Sequence, residues 1–361
     1  MNILHLQLSG NPGGIVTLCR TIASNSSNVN YMYFLMSGGS VADQMKDAGI
    51  PVVVSKCDRY LWRKSIHDFI DFIDNHKIDV IVNHSNSPIA CAHVLAVKRK
   101  KKNVKLLMYL HGAAEDMYPH NYKKRIYLSY IKRTAKRADE IVAISHYVKT
   151  SCAQAFNISE SRITVIYNGV DCLKFTPKNR PYRADDVLKL IYVGRVFKKK
   201  GLDLLVKAVA LLPSDTNISV TVVGTGPELS NLQLLSKELG IEDKISFLGL
   251  RMDIPNLLKE ADFFVHPAVW NEGFGITLIE SLATGLPCIA FNRGAIPEII
   301  EDGKNGYLLQ TVSDTELAQK IMFCYNDLDN LKYSAMSDYA IKSVHKFDIL
   351  NKVRELEMLY G

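Results

Sequence analysis

Two stretches of the chain gather charged side chains next to sharp turns. The first is Tyr192-Val193-Gly194-Arg195, followed by Lys198-Lys199-Lys200-Gly201 and a helical pattern. A strand ending at Gly194 delivers Arg195, and Lys200 stands immediately ahead of the helix. Two cations and the positive end of a helix dipole then converge on one point. Such a point suits a diphosphate; the plainer reading is a solvated basic loop. The second stretch runs from His266 to Glu280 and follows a buried-looking strand. Gly273 and Gly275 interrupt helix formation, which places Glu272 in a loop and Glu280 within a helix beginning near Gly275. The two carboxylates then reach different parts of one ligand. Backbone N–H groups around Phe274, Gly275, Ile276 and Thr277 offer an anion or hydroxyl site. Glu280 as a merely solvated helix residue fits poorly with its neighbours Leu278, Ile279 and Leu282. A weaker signal is Ser9-Gly10-Asn11-Pro12-Gly13-Gly14-Ile15, where Gly13 and Gly14 let the backbone approach a ligand at a helix start, although Gly-Gly turns are usually only turns.

The elements that must position these residues alternate short β-branched runs with longer helical ones, the pattern of β-α-β units wound into parallel sheets. Runs at 3–8, 31–36, 52–55, 80–83, 106–110, 141–144 and 164–167 read as strands of one sheet. Runs at 188–193, 219–223, 245–248, 263–265 and 288–291 read as strands of a second, after a charged, Pro-containing segment from Lys174 to Asp186. Ile66, Phe69, Ile70 and Ile73 mark one apolar helical face, and Ile126, Tyr130 and Ile131 another. The expectation is α/β, with two doubly wound domains, 1–173 and 174–346, facing each other across a cleft. A final helix over 347–361, apolar at Ile349, Leu350, Val353, Leu356, Leu359 and Tyr360, has one face to bury against either domain.

A length of 361 residues fits two or three domains with cores large enough to need no disulfide. With 47% hydrophobic and 22% charged residues, the composition is that of an ordinary globular protein and excludes disordered, collagen-like and membrane-embedded classes. The start lacks a basic leader region and reads as a first strand rather than a signal peptide. Seven scattered cysteines, with no C-x-x-C pair, suggest neither a zinc site nor a redox dithiol and fit a reducing cytoplasm. Residues 1–170 carry 22 Lys and Arg against 12 Asp and Glu, so the net charge of +7 resides in the N-terminal half. Basic blocks at Lys98–Lys102 with Lys105, and at Lys123–Arg125, Lys132-Arg133 and Lys136-Arg137 beside Tyr122, Ile126, Tyr127 and Tyr130, suit an anionic membrane surface. Without a recognised nucleic-acid motif, nucleic acid is not expected as partner.

At these residues the sequence resembles the retaining GT-B glycosyltransferases, and within them family 4, the sugar transferases of bacterial capsule, lipopolysaccharide and exopolysaccharide synthesis. The resemblance spans nearly the full chain. Its pieces are Gly13-Gly14, Tyr109-Leu110-His111-Gly112, Ala143-Ile144-Ser145 with Lys149, Tyr167-Asn168-Gly169-Val170-Asp171, Tyr192–Arg195 with Lys200-Gly201, Val223-Gly224-Thr225-Gly226-Pro227 and Phe247-Leu248-Gly249. Glu272 and Glu280 as E-x7-E, Gly294 with Pro297-Glu298, and Asp302–Gly306 complete the series.

That resemblance implies two Rossmann-like domains and transfer of a sugar, with retention, from a nucleotide-diphosphate sugar, most often UDP-linked, to a glycan or lipid-linked acceptor. Arg195 and Lys200 would bind the diphosphate, Gly194 and Gly226 would also contact the donor, and Gly14 would approach the phosphates from the opposite domain. No metal or other cofactor is then required. Glu280 would hold the ribose, and Glu272 with the loop Gly273-Phe274-Gly275 would grip sugar hydroxyls. His111 would face the sugar. The enzyme would be cytoplasmic, or peripheral on the inner membrane face. Two alternatives share the fold: a non-hydrolysing sugar-nucleotide epimerase, and an inactive nucleotide-sugar-binding subunit of a transferase pair.

Overall fold

The structure, a computed structural model, describes residues 1–11, 13–55, 62–118, 121, 123–177, 182, 186–326 and 329–361. Cys57, Tyr122 and part of the 174–186 segment lie outside the described residues. Two units divide the chain: Met1–Gly169 with Ile349–Gly361, and Val170–Asp348.

The first unit is built on the strands β1 (Asn2–Ser9), β2 (Val29–Ser37), β3 (Val52–Val54), β4 (Val80–Asn83), β5 (Lys105–Leu110), β6 (Glu140–Ala143) and β7 (Ile163–Val165). They pair in parallel in the order β3-β2-β1-β4-β5-β6-β7. The second unit holds β8 (Leu188–Val193), β9 (Ile218–Val223), β10 (Ile245–Gly249), β11 (Phe263–His266), β12 (Cys288–Phe291) and β13 (Gly306–Leu309). Its order, β10-β9-β8-β11-β12-β13, repeats the pattern of the first, again all parallel. Both sheets are thus doubly wound. Each reverses direction at one switch point, between β1 and β4 and between β8 and β11, where such sheets open a crevice beyond their strand ends.

Central strands are covered by helices on both faces, which is why β4, β11 and β12 are buried throughout; β12 is apolar along its whole length, and β4 and β11 are apolar up to their last residues, Asn83 and His266. Flanking helices bury one stripe each. Phe69, Ile70 and Ile73 are buried on the helix Trp62–Asn75, and Leu202, Leu205, Val206 and Val209 on the helix Leu202–Ala210. On the helix Lys124–Arg137, Ile131 is buried but Ile126 is 55% exposed, so the expected apolar face covers only the later turns.

Other expectations shift as well. The expected boundary at 173/174 lies at 169/170, and the chain returns to the first unit at 348/349. There Val170 N–H donates to the Phe347 carbonyl at 2.8 Å, and a side chain on Gly169 would meet the Ile349 Cα at 2.7 Å. The final helix is shorter than expected, Ile349–Met358, after a 3-10 turn at Val344–Phe347. Ile349, Val353 and Leu356 are buried while Leu350 faces outward. Glu357 fastens the helix to the first unit by accepting from Ser26 Oγ at 2.6 Å and Asn28 Nδ2 at 2.9 Å. The sixth strand of the second sheet, β13, was not anticipated. Among the described residues no helix is long and apolar enough to cross a membrane.

Candidate active site

In the second unit the two charged stretches meet at the switch point. The first leaves β8 through Gly194, makes a 3-10 turn at Lys198–Lys200 and enters the helix Leu202–Ala210; the second leaves β11. They are fastened by backbone. Val269 N–H donates to the Lys199 carbonyl at 3.1 Å, and Gly201, left-handed at φ +65°, sits where a Cβ would lie 2.0 Å from the Pro267 carbonyl oxygen. Any other residue there would force the loops apart. Gly226 packs as closely on the Val196 carbonyl, at 2.1 Å from its would-be Cβ, which holds the β8 and β9 loops together.

The result is a compact charged cluster. Lys200 Nζ donates to both Glu272 carboxylate oxygens, at 3.1 and 2.8 Å. Trp270 Nε1–H donates to the same carboxylate at 2.8 Å, and its ring carries Lys199 and Lys200 at 4.9 and 5.5 Å from the centroid. His266 Nε2 lies 3.5 Å from Glu272, close enough for charge interaction, while both its buried ring nitrogens lack a hydrogen bond. Burial opposes ionisation of Glu272, but His266 and Lys200 outweigh it and hold the carboxyl well below the usual range. Burial lowers the proton affinity of His266, against the pull of Glu272. The Glu272 backbone is itself clamped: Ala295 N–H donates to its carbonyl at 2.8 Å, and a Cβ on Gly294 would stand 2.3 Å from that oxygen.

Arg195 is placed differently from Lys200. Its side chain is exposed and its guanidinium lies 5.3 Å from the Phe197 ring centroid. The two cations therefore border one turn, but among the described residues only Lys200 of the two has a carboxylate partner. The Tyr192 hydroxyl donates to the Arg195 carbonyl at 2.9 Å and feels the charges of both Glu272 and Arg195. The helix Ile276–Ala283 starts after Gly275 at φ +116°, with no side chain capping it. Ile276 and Thr277 occupy its first turn and are part-exposed. Phe274 turns inward, buried edge-to-face on Phe347 at 5.6 Å, so only its backbone is offered to a ligand. Glu280 keeps a part-exposed edge while burial of the rest pushes its carboxyl up to about 7, eased by Lys174.

In the first unit, Gly13 precedes the helix Gly14–Asn25; a Cβ on Gly13 would meet nothing within 4 Å, and Gly14 is exposed. His111 follows β5 and is part-exposed, with Nε2 2.8 Å from His84 Nδ1. Trp270, His266, Gly294 and His84 were not anticipated as parts of a site. Gly294 was visible only as one piece of a motif. The Lys98–Lys102 block is partly spent within the unit: Lys98 pairs with Asp139 at 2.8 Å, Lys101 with Asp74 at 2.9 Å, and Lys105 donates to the Gly361 carbonyl.

Comparison with known proteins bears on this geometry. The profile described as Glycosyltransferase Family 4 matches residues 15–173, and that described as Glycosyl transferases group 1 matches residues 176–343. The chain is 26% identical over 290 residues to N-acetyl-alpha-D-glucosaminyl L-malate synthase of Bacillus anthracis, spanning 78% of this chain and 74% of that one. It is 25% identical over 310 residues to UDP-Gal:alpha-D-GlcNAc-diphosphoundecaprenol alpha-1,3-galactosyltransferase of Escherichia coli, spanning 82% and 79%. Its fold matches the crystal structure of Anabaena Alr3699/HepE in complex with UDP at a TM-score of 0.88 over 99% of each chain, with 23% identity. The two profiles run end to end over the two Rossmann-like units of a GT-B fold, and the chain belongs to the group 1, family 4 glycosyltransferases.

Proposed function

We propose that the protein is a retaining glycosyltransferase that moves a sugar from a UDP-sugar to a hydroxyl of a glycan or lipid-linked acceptor, without a metal. The observation that carries this reading is the Lys200–Glu272 pair at the β8/β11 switch point, with the exposed Arg195 on the same turn. Lys200 has three N–H donors, so it can keep Glu272 and still turn toward a diphosphate. Together with Arg195 it neutralises the charge that develops as the C1–O bond to the phosphate breaks, the role a metal would otherwise take. The acceptor oxygen bonds to C1 from the face the phosphate leaves, and its proton passes to a phosphate oxygen. Glu280 takes the ribose. Glu272, with the Phe274 and Gly275 backbone, takes sugar hydroxyls, Gly13 and Gly14 offer backbone to the phosphates, and His111 acts on the transferred sugar.

The test is incubation of the purified protein with a panel of nucleotide sugars and acceptors in the presence of EDTA. Release of UDP with an α-linked product from an α-linked donor is expected. Loss of all activity with EDTA, restored by magnesium or manganese, would overturn the metal-free reading; an inverted product would overturn retention.

A basic surface favours peripheral membrane attachment through the first unit. Lys123, Lys124, Arg125 and Ile126 are all exposed at the start of the helix Lys124–Arg137, a combination of charge and apolar contact that suits an anionic bilayer. Sedimentation with vesicles should require anionic lipid, weaken with salt and fall when Lys123, Lys124 and Arg125 become Ser. Equal recovery with neutral vesicles would contradict it.

A further inference from the structure

Three histidines cross the first sheet in a line, and the end of that line is His111. His5 on β1 and His84 just beyond β4 are buried; His111 follows β5, and these strands are neighbours in the sheet. His5 Nδ1 lies 2.9 Å from His84 Nε2, and His84 Nδ1 lies 2.8 Å from His111 Nε2. At the other end, His5 Nε2 lies 2.9 Å from Asn30 Oδ1 on β2. The rings are inclined by only 19° and 26° with centroids 5.2 and 5.1 Å apart. That is the separation of two rings meeting edge to edge through a hydrogen bond, rather than face to face.

Donor and acceptor roles along this line follow from one fixed end. The Asn30 amide nitrogen donates to the Asn28 carbonyl at 2.8 Å, and a carbonyl can only accept, so the Asn30 oxygen must face His5. His5 Nε2 therefore carries the proton and His5 Nδ1 accepts. His84 must then donate from Nε2 and accept at Nδ1, which requires His111 to donate from Nε2. Running the line the other way would need protons on both nitrogens of His5, a buried cation. Burial disfavours that charge, pushing His5 down to about 4 and His84 and His111 down as well.

We propose that Asn30, His5 and His84 form a one-way hydrogen-bond relay that locks His111 in the Nε2–H tautomer, so that Nδ1 is a fixed acceptor for a ligand hydroxyl. The proposal rests on the reading of His111 as a group acting on the transferred sugar, and deepens it. Among the described residues Nδ1 has no partner. A locked lone pair accepts from a sugar O–H and repels a phosphate oxygen, so the relay sets which part of the ligand His111 takes. Asn30, His5 and His84 are positioning residues; none touches the ligand. A metal is the competing occupant, because His5, His84 and Cys19 place ligand atoms within 4.8 Å of one another. The facing nitrogens sit at hydrogen-bond distance, however. A zinc ion bonded to each at about 2.0–2.1 Å in tetrahedral geometry would hold them farther apart. Cys19 Sγ already accepts from Gln7 Nε2 at 3.3 Å.

The test is nitrogen NMR of the full chain carrying 15N-labelled histidine, assigned through single variants. His5, His84 and His111 should each show a protonated Nε2 and a bare Nδ1 at neutral pH. A proton on His111 Nδ1, a mixture of His111 tautomers, or a shift of the His5 and His84 signals on adding stoichiometric zinc would overturn the relay. Turnover gives a second readout. His84→Leu should mix the His111 tautomers and lower kcat about tenfold with free-UDP affinity unchanged. His84→Gln keeps an N–H toward His5 and a carbonyl toward His111, and should restore most of the loss. Equal losses in both variants with the His111 tautomer unmoved would also overturn it. If the wild-type tautomers are as expected while His111→Ala keeps full turnover, the relay stands and the sugar-facing role of His111 falls.

Discussion

The two switch points of this protein are topological copies with opposite chemistry. At the end of β8 and β11 stands a charged cluster: Lys200 on Glu272, Lys199 over Trp270, and Arg195 exposed alongside. Across β1, β4 and β5 runs a neutral line, His5 within β1 and His84 and His111 just past β4 and β5, with no carboxylate in its hydrogen bonds among the described residues. The same strand order positions both, so fold alone does not set the chemistry; the side chains leaving the strands do. A charged cluster that retains its ions when partly buried is suited to a diphosphate. A neutral line with fixed polarity is suited to hydroxyls.

The largest effect should come from removing the cations. Lys200→Ala should lower turnover by about 100-fold or more. It also strands Glu272, which is only 14% exposed, so Arg195→Ala is the companion variant: its exposed side chain can be lost with little effect on folding. Near-normal turnover in both, measured by UDP release, would erase the contrast between the two regions.

A smaller effect separates the carboxylates. Glu280→Gln should weaken free UDP and UDP-sugar alike, whereas Glu272→Gln should weaken mainly the sugar-bearing donor. Calorimetry with both ligands checks this, and equal loss of free-UDP affinity would join what the reading divides.

The smallest concerns stability. Burial raises Glu280 from 4.5 to about 7 in the folded chain, so the folded state holds this proton more tightly than the unfolded one. Its contribution is full below pH 4.5 and is lost as pH rises through about 7. Glu280→Gln cannot ionise, and should gain on the wild type between pH 5 and pH 8 by up to about 3 kcal/mol. Urea titrations at the two pH values measure it; a pH-independent difference would contradict the buried placement.

Much of the scaffold was legible because parallel strands covered on both faces read as near-continuous apolar runs; residues 80–82 and Cys288–Phe291 announce themselves that way. β13 did not, because its four residues begin on the glycine that ends the Asp302-Gly303-Lys304-Asn305 turn and read as part of it. In the site, Lys200 and Glu272 were legible from their turns, but their contact was not: 72 residues separate them, and the Gly201–Pro267 approach that joins them is a tertiary fact. The histidine line was the least visible. Its members come from separate strands, and only the order β2-β1-β4-β5 brings them together. A signal existed in the polar His5 set between apolar Ile3, Leu4 and Leu6, since a buried polar side chain needs a partner.

The contrast between the two regions is tested most directly by measuring free-UDP affinity and turnover in Lys200→Ala and His111→Ala side by side. The account predicts that Lys200→Ala loses both, while His111→Ala keeps free-UDP affinity and loses turnover. Equal loss of free-UDP affinity in the two variants would contradict the assignment of charge to one region and hydroxyl recognition to the other.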